Sequence, residues 1–120
     1  MRVLVCGGRD YHDEARVFAV LDKLHNDAGI DLIIEGGANG ADHLAHQWAK
    51  FRGVSTDQYE ADWESFGNFA GPKRNQRMLD EGRPDLVIAF PRANGKIGKG
   101  TKNMIDKALK AGVKIVVIAP

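Results

Sequence analysis

Three clusters of glycine, each in the segment that follows a short apolar run, are the part of this sequence best suited to chemistry. Glycine lets backbone N–H groups approach an anion closely, and a helix that begins beside the cluster adds partial positive charge. Each cluster holds two or three glycines, which is more than a short turn usually needs. The clusters therefore predict a ligand that carries phosphate. They are Gly7 and Gly8, then Gly36, Gly37 and Gly40, then Gly95, Gly98 and Gly100.

Charged side chains stand close to these clusters in the sequence. Arg9 suits a phosphate or an ion pair with Asp10 or Glu35, and Lys73 and Arg74 open a predicted helix. A cation at a helix N-terminus opposes the helix dipole at a cost of roughly 0.3 kcal/mol or more, which a bound anion would relieve. The alternative is a solvated basic face. The same two interpretations apply to the cations after the apolar run at 86–90, which are Arg92, Lys96, Lys99 and Lys102.

Four polar or aromatic residues have both a structural and a binding interpretation. Thr101 either caps the last predicted helix or donates its hydroxyl to a phosphate. Asn39 and Asp42 flank the start of the second predicted helix, where either can cap it, and Asp42 can also accept from a ribose hydroxyl. Trp63 either stacks on a base or helps to hold a long loop against the core.

No metal or cofactor is predicted. His43 and His46 lie three residues apart on a predicted helix, but no cysteine or second carboxylate stands at a fitting spacing. Cys6 ends an apolar run, which is typical of a small buried side chain rather than of a nucleophile.

The apolar runs predict the elements that position these residues. Runs at 3–6, 32–34, 86–90 and 115–118 are continuous and rich in β-branched residues, as strands buried on both faces are, and 54–59 is a weaker strand candidate. Apolar residues at helical spacing predict helices over 13–27, 41–52, 72–81 and 101–111. This alternation predicts an α/β fold, a doubly wound parallel sheet of about five strands with helices on both faces. All three glycine clusters then lie at its carboxyl edge, where such sheets bind ligands.

Composition narrows the classes of protein. Seventeen Lys and Arg against 16 Asp and Glu give a net charge of +1, which argues against a general nucleic-acid or acidic-membrane binder. A single cysteine fits a reducing compartment, and no signal peptide or membrane-spanning stretch is evident, so a cytoplasmic protein is expected. The glycine patterns match neither the dinucleotide fingerprint nor the Walker loop, which has lysine where Thr101 stands.

Four segments, taken in order, resemble the YspA-like branch of the SLOG superfamily, which is named after the DNA-processing (SMF/DprA) and LOG proteins. They are GGRD at 7–10, EGGANGAD at 35–42, AGPKRNQRM at 70–78 and GT at 100–101. The resemblance covers nearly the whole chain. It implies one Rossmann-like domain over residues 1–120 that binds or processes nucleotides or nucleotide-derived molecules. The predicted ligand-binding residues are Gly7, Gly8, Arg9, Asp10, Gly36, Gly37, Ala38, Asn39, Gly40, Asp42, Trp63, Lys73, Arg74, Asn75, Pro91, Gly98, Gly100 and Thr101.

The similarity to LOG enzymes, which cleave a nucleoside 5′-monophosphate to free base and ribose 5-phosphate, is partial. Residues 74–78 are similar to their R-K-x-x-M helix start and place Arg74 on the catalytic arginine. Pro91 and the G-x-G-T of residues 98–101 match part of their P-G-G-x-G-T-x-x-E loop, but the glutamate position falls on Met104.

The carboxylate that would counter an oxocarbenium-like charge is therefore missing from its expected place. Glu35, Asp42 or Asp10 could replace it, so enzymatic activity is left open. If the protein is an enzyme, the predicted catalytic residues are Arg74, Glu35 and Asp42.

Three functions follow from these observations. The leading hypothesis is a module that senses or sequesters a nucleotide or an ADP-ribose-like molecule. A LOG-like phosphoribohydrolase or another N-glycosidase is the alternative, and DNA binding as in the DprA branch is weaker because the net charge is small. LOG-like proteins pair through helices beside the site, so the resemblance also implies a homodimer.

Overall fold

Five strands form one parallel sheet in the computed structural model, which describes all 120 residues. The strands are β1 (Arg2–Gly7), β2 (Leu32–Glu35), β3 (Ser55–Gln58), β4 (Leu86–Phe90) and β5 (Lys114–Val117). Their order across the sheet is β3-β2-β1-β4-β5, and every neighbouring pair is parallel. The predicted doubly wound, Rossmann-like fold is confirmed.

Five helices and one short 3₁₀ segment connect the strands. The helices are α1 (Glu14–Ala28), α2 (Ala41–Arg52), α3 (Trp63–Phe66), α4 (Ala70–Asp80) and α5 (Lys99–Lys110), and the 3₁₀ segment is Gly67–Phe69. No helix combines the length and apolar character that crossing a membrane requires.

The helices cover both faces of the sheet, and each face has its own apolar core. Val17 and Leu21 of α1 pack with the fully buried Trp48 of α2 on one face. Met78 of α4 and Met104 of α5 belong to the cluster on the other face. The central strands are largely apolar because both their faces are covered, whereas the edge strands β3 and β5 are more exposed.

Two helices begin earlier than the sequence predicts. The last helix starts at Lys99 with Gly98 as its N-cap and no side-chain cap, so Thr101 lies in the first turn and does not cap it. The helix predicted from Pro72 starts at Ala70, because the 3₁₀ segment leads directly into it. Proline is tolerated in a first turn, where its missing N–H has no helical partner.

The sheet order creates a crevice between β1 and β4. The chain leaves β1 toward α1 on one face and leaves β4 toward α5 on the other, so the two loops diverge above adjacent strands. Open α/β sheets bind ligands at such a point.

Candidate functional site

The crevice between the β1 and β4 loops contains a pocket of about 710 Å³. The end of β1, the first turns of α4 and the start of α5 form its walls. A smaller cavity of about 340 Å³ adjoins it and is lined mainly by the loop after β2. The two share four lining residues, which are Arg9, Ala38, Trp63 and Arg74.

Most of the predicted ligand-binding residues line one of these cavities. The larger pocket is lined by Gly7, Gly8, Arg9, Asp10, Ala38, Asp42, Trp63, Arg74, Asn75, Gly98, Gly100 and Thr101. Gly36, Gly37 and Asn39 line only the smaller cavity. Gly40, Lys73, Pro91 and the proposed catalytic Glu35 line neither.

Gly40 supports the site through the backbone instead. Its φ is 77°, a conformation that favours glycine, and an added Cβ would overlap the carbonyl oxygen of Gly8. That oxygen also accepts from the backbone N–H of Tyr11 and of Ala41, both at 3.2 Å. The loops after β1 and β2 are therefore held in direct contact.

Arg74 is a cation that is held in the larger pocket without an ion-pair partner. Its Nη1 donates to the carbonyl oxygen of Gly36 at 2.7 Å, and its Nε donates to Oδ1 of Asn75 at 3.1 Å. It forms no salt bridge, and its Nη2 donates to no protein atom. Burial lowers the pKa of Arg74, but arginine stays protonated in proteins. The guanidinium is thus fixed in position with one nitrogen free for an anion.

Asn75 connects Arg74 to the start of α5. This side chain is 5% exposed. Its Nδ2 donates to the carbonyl oxygen of Gly100 at 3.3 Å and to Oδ1 of Asn103 at 3.0 Å. One buried amide therefore links the guanidinium of Arg74 to the start of α5, and both line the pocket.

Sequence reasoning missed Asn68 and Asn103, which both line the larger pocket. Asn103 could have been found from helical spacing. Met104, which stands at the LOG glutamate position, is fully buried in the core, so the residue before it points away from the core. The position that the LOG pattern reserves for an acid is thus filled by a core side chain here.

The backbone donors of the β2 loop are already occupied by the chain's own carboxylates. Oδ2 of Asp42 accepts from the N–H of Gly36 at 3.1 Å and of Ala38 at 3.3 Å. Oε1 of Glu35 accepts from the N–H of Gly37 at 2.6 Å. A phosphate at these three N–H groups would have to displace a carboxylate, so the uncapped start of α5 is the freer anion site.

The same two carboxyl groups have strongly perturbed acidities. Burial raises the pKa of Glu35 to about 7, against the opposing hydrogen bond from Gly37. Burial, together with the charge of Glu35, raises the pKa of Asp42 to about 7. Oε2 of Glu35 also lies 3.3 Å from Nδ1 of His46. The only role that the sequence raised for His46 was that of a metal ligand. No group of His, Cys, Asp or Glu is arranged to hold a metal.

Trp63 and Cys6 also line the larger pocket. Trp63 is half exposed, and the guanidinium of Arg9 lies 5.7 Å from the centre of its ring, within the range of a cation–π contact. Cys6 is buried as predicted. Burial raises the pKa of its thiol, as does the charge of Asp42, so the thiol stays protonated and is a poor nucleophile.

Comparison with known proteins gives three likenesses. Residues 1–66 match the YspA, cpYpsA-related SLOG family. The Gene 61 protein of Mycobacterium phage D29 is 35% identical over 121 residues, which cover 96% of this chain and 94% of that protein. The X-ray structure of DNA processing protein A (DprA) from Streptococcus pneumoniae has a TM-score of 0.77 at 21% identity and matches 99% of this chain. The match covers 50% of the DprA chain, and at this identity the shared feature is the fold.

Proposed function

Since this chain belongs to the YspA, cpYpsA-related SLOG family, we propose that the larger pocket binds a nucleotide or a nucleotide-derived molecule through its phosphate. The protein would act as a binding module that senses or sequesters this ligand. The pocket lies at the switch point of a parallel sheet, where phosphate-bearing ligands commonly bind.

The unpaired guanidinium of Arg74 is the observation that carries this proposal. Two hydrogen bonds fix the guanidinium, and no carboxylate pairs with it. Arg74 lines the pocket, and its Nη2 is free to donate to a ligand. The uncapped first turn of α5 lines the same pocket through Gly100 and Thr101. Helix N–H groups and a fixed arginine together are suited to a phosphate.

The size and lining of the pocket also fit a nucleotide. A volume of about 710 Å³ lies within the usual range of about 300–1,000 Å³ for small-molecule sites. Trp63 offers an accessible ring on which a base can stack, and Arg9, Arg92 and Lys99 add positive charge.

Isothermal titration calorimetry with AMP, ADP-ribose and a cyclic nucleotide tests the proposal. We expect at least one of them to bind, and Arg74→Ala to weaken its binding by at least about tenfold, since a charged hydrogen bond contributes roughly 1.5–3 kcal/mol. Arg77→Ala is the matched control, because Arg77 lies one turn along the same helix and pairs with Glu81 at the surface. Absence of binding at millimolar ligand by the folded protein would refute the proposal.

A second candidate function, N-glycosidic cleavage of a nucleoside monophosphate, is favoured by the position of Asp42. Of the three carboxyl groups that could replace the missing glutamate, Glu35 does not line the pocket, whereas Asp10 and Asp42 do. Asp10 is exposed to water, and Asp42 is buried. Asp42 lines the pocket and has a pKa raised to about 7 by burial, which suits an acid–base role near neutral pH. Release of free base from AMP that is lost in Asp42→Asn would support it, whereas intact AMP after long incubation with wild type would exclude it.

A further inference from the structure

The smaller cavity is lined by the two arginines that it shares with the larger pocket and by one carboxylate, that of Glu60. Its glycine loop contributes no free donor among residues 36–38, because the N–H groups of Gly36, Gly37 and Ala38 donate to Asp42 and Glu35. A phosphate therefore has little to bind on this wall. Glu60 is the one charged residue that lines this cavity and not the larger pocket.

Glu60 is an exposed side chain beside the glycine loop, with one carboxylate oxygen free. Its Oε1 accepts from Nε2 of Gln58 at 3.1 Å, and its Oε2 accepts from no protein atom. An added Cβ at Gly37 would lie 2.7 Å from Nε2 of Gln58 and 3.2 Å from Cγ of Glu60. Glycine at this position thus makes room for the two side chains, and φ of 73° there also favours glycine. The carboxylate therefore lies at the open side of the cavity, where a ligand can reach it.

The two cavities meet at a shared boundary of two cations and one aromatic ring. Arg9, Arg74 and Trp63 line both of them, with Arg9 placed over the ring of Trp63. A phosphate bound at this boundary has the larger pocket on one side and the smaller cavity, with Glu60, on the other. A group attached to the far side of that phosphate would enter the smaller cavity.

We propose that the smaller cavity is a second subsite, which takes a sugar with a vicinal diol carried on the phosphate of the ligand, with Glu60 accepting from its hydroxyls. Carboxylates in α/β folds recognise ribose hydroxyls in this way. This inference rests on the proposed function, and it narrows the ligand to a nucleotide whose phosphate bears a second sugar. ADP-ribose has this composition, whereas AMP and ADP do not.

Calorimetric titration with ADP-ribose and ADP tests the subsite. We expect ADP-ribose to bind the wild type at least about tenfold more tightly than ADP, because only ADP-ribose has the second sugar. In Glu60→Gln we expect ADP-ribose to lose at least about fivefold in affinity while the affinity for ADP stays within twofold. Glu64→Gln is the control, since Glu64 is an exposed acid of α3 that lines neither cavity.

The outcomes separate the two proposals. Equal affinity of the wild type for ADP and ADP-ribose, or an equal loss of both in Glu60→Gln, would overturn the second subsite and leave the proposed function standing. If ADP, ADP-ribose, AMP and a cyclic nucleotide all fail to bind, the proposed function is wrong, and the subsite is wrong with it.

Discussion

Replacing Asn75 with alanine should destabilise the fold and weaken ligand binding together. The variant removes three hydrogen bonds from a side chain that is 5% exposed. At about 1 kcal/mol for each bond, the loss is about 3 kcal/mol. The higher helix propensity of alanine offsets about 0.5 kcal/mol of this loss. The free energy of unfolding should therefore fall by about 2–3 kcal/mol.

Thermal denaturation followed by circular dichroism measures this loss. For a chain of this length, about 2.5 kcal/mol corresponds to a fall in Tm of about 10 °C. Gln76→Ala is the matched control, because the next side chain on the same helix bonds to Asp80 and Lys107 at the exposed surface. Water can replace hydrogen bonds that lie at the exposed surface, so this control should change the free energy of unfolding by less than about 0.5 kcal/mol.

The same variant also tests the link between fold and site. Without Asn75, the Nε of Arg74 loses its acceptor and the first turn of α5 loses two of its anchors. The affinity for a nucleotide should fall in Asn75→Ala even at temperatures where the variant is fully folded. A fall in Tm of less than about 3 °C, or one no larger than in Gln76→Ala, would refute the assignment of Asn75 as the central polar contact of the site.

Three further predictions follow from the site. Because the pKa of Asp42 is raised from 3.8 to about 7 by burial, the folded state binds more protons than the unfolded state between these values. Tm should therefore fall as pH rises from 5 to 8, and Asp42→Asn should flatten this fall; an unchanged slope in the variant would contradict the argument. Gly40→Ala should cost at least about 2 kcal/mol in urea denaturation, against roughly 1 kcal/mol for Gly53→Ala, because both have positive φ but only Gly40 meets another backbone; equal costs would show that the loop contact is unimportant. Trp63→Ala should weaken AMP binding about five- to 150-fold, as loss of a base stack costs about 1–3 kcal/mol, while Phe69→Ala, an exposed aromatic outside both cavities, should not.

The fold could be predicted because its signals are local. A strand covered on both faces must be apolar throughout, so the runs around Leu4 and Val87 are evident without any knowledge of their partners. The glycine clusters mark where those strands end. The weaker strand candidate is polar because β3 lies at an edge, which only the assembled sheet reveals.

The contacts of the site were harder to predict because they join distant residues. Nothing in the sequence near Asn75 shows that it will meet Asn103, which lies 28 residues away. Spacing also does not show that the N–H groups of the β2 loop are filled by Asp42 and Glu35 rather than left for a ligand. Side-chain partners depend on rotamers and on the crossing of helices, which periodicity does not specify.

The carboxylates in the β2 loop have a consequence for the entropy of binding. They hold the loop in place as a bound anion would, so its conformational freedom is lost when the chain folds and not when the ligand arrives. Binding to a wall that is ordered in advance needs less additional ordering of the protein. The backbone at 36–38 should accordingly be as protected from hydrogen exchange in the free protein as in the complex.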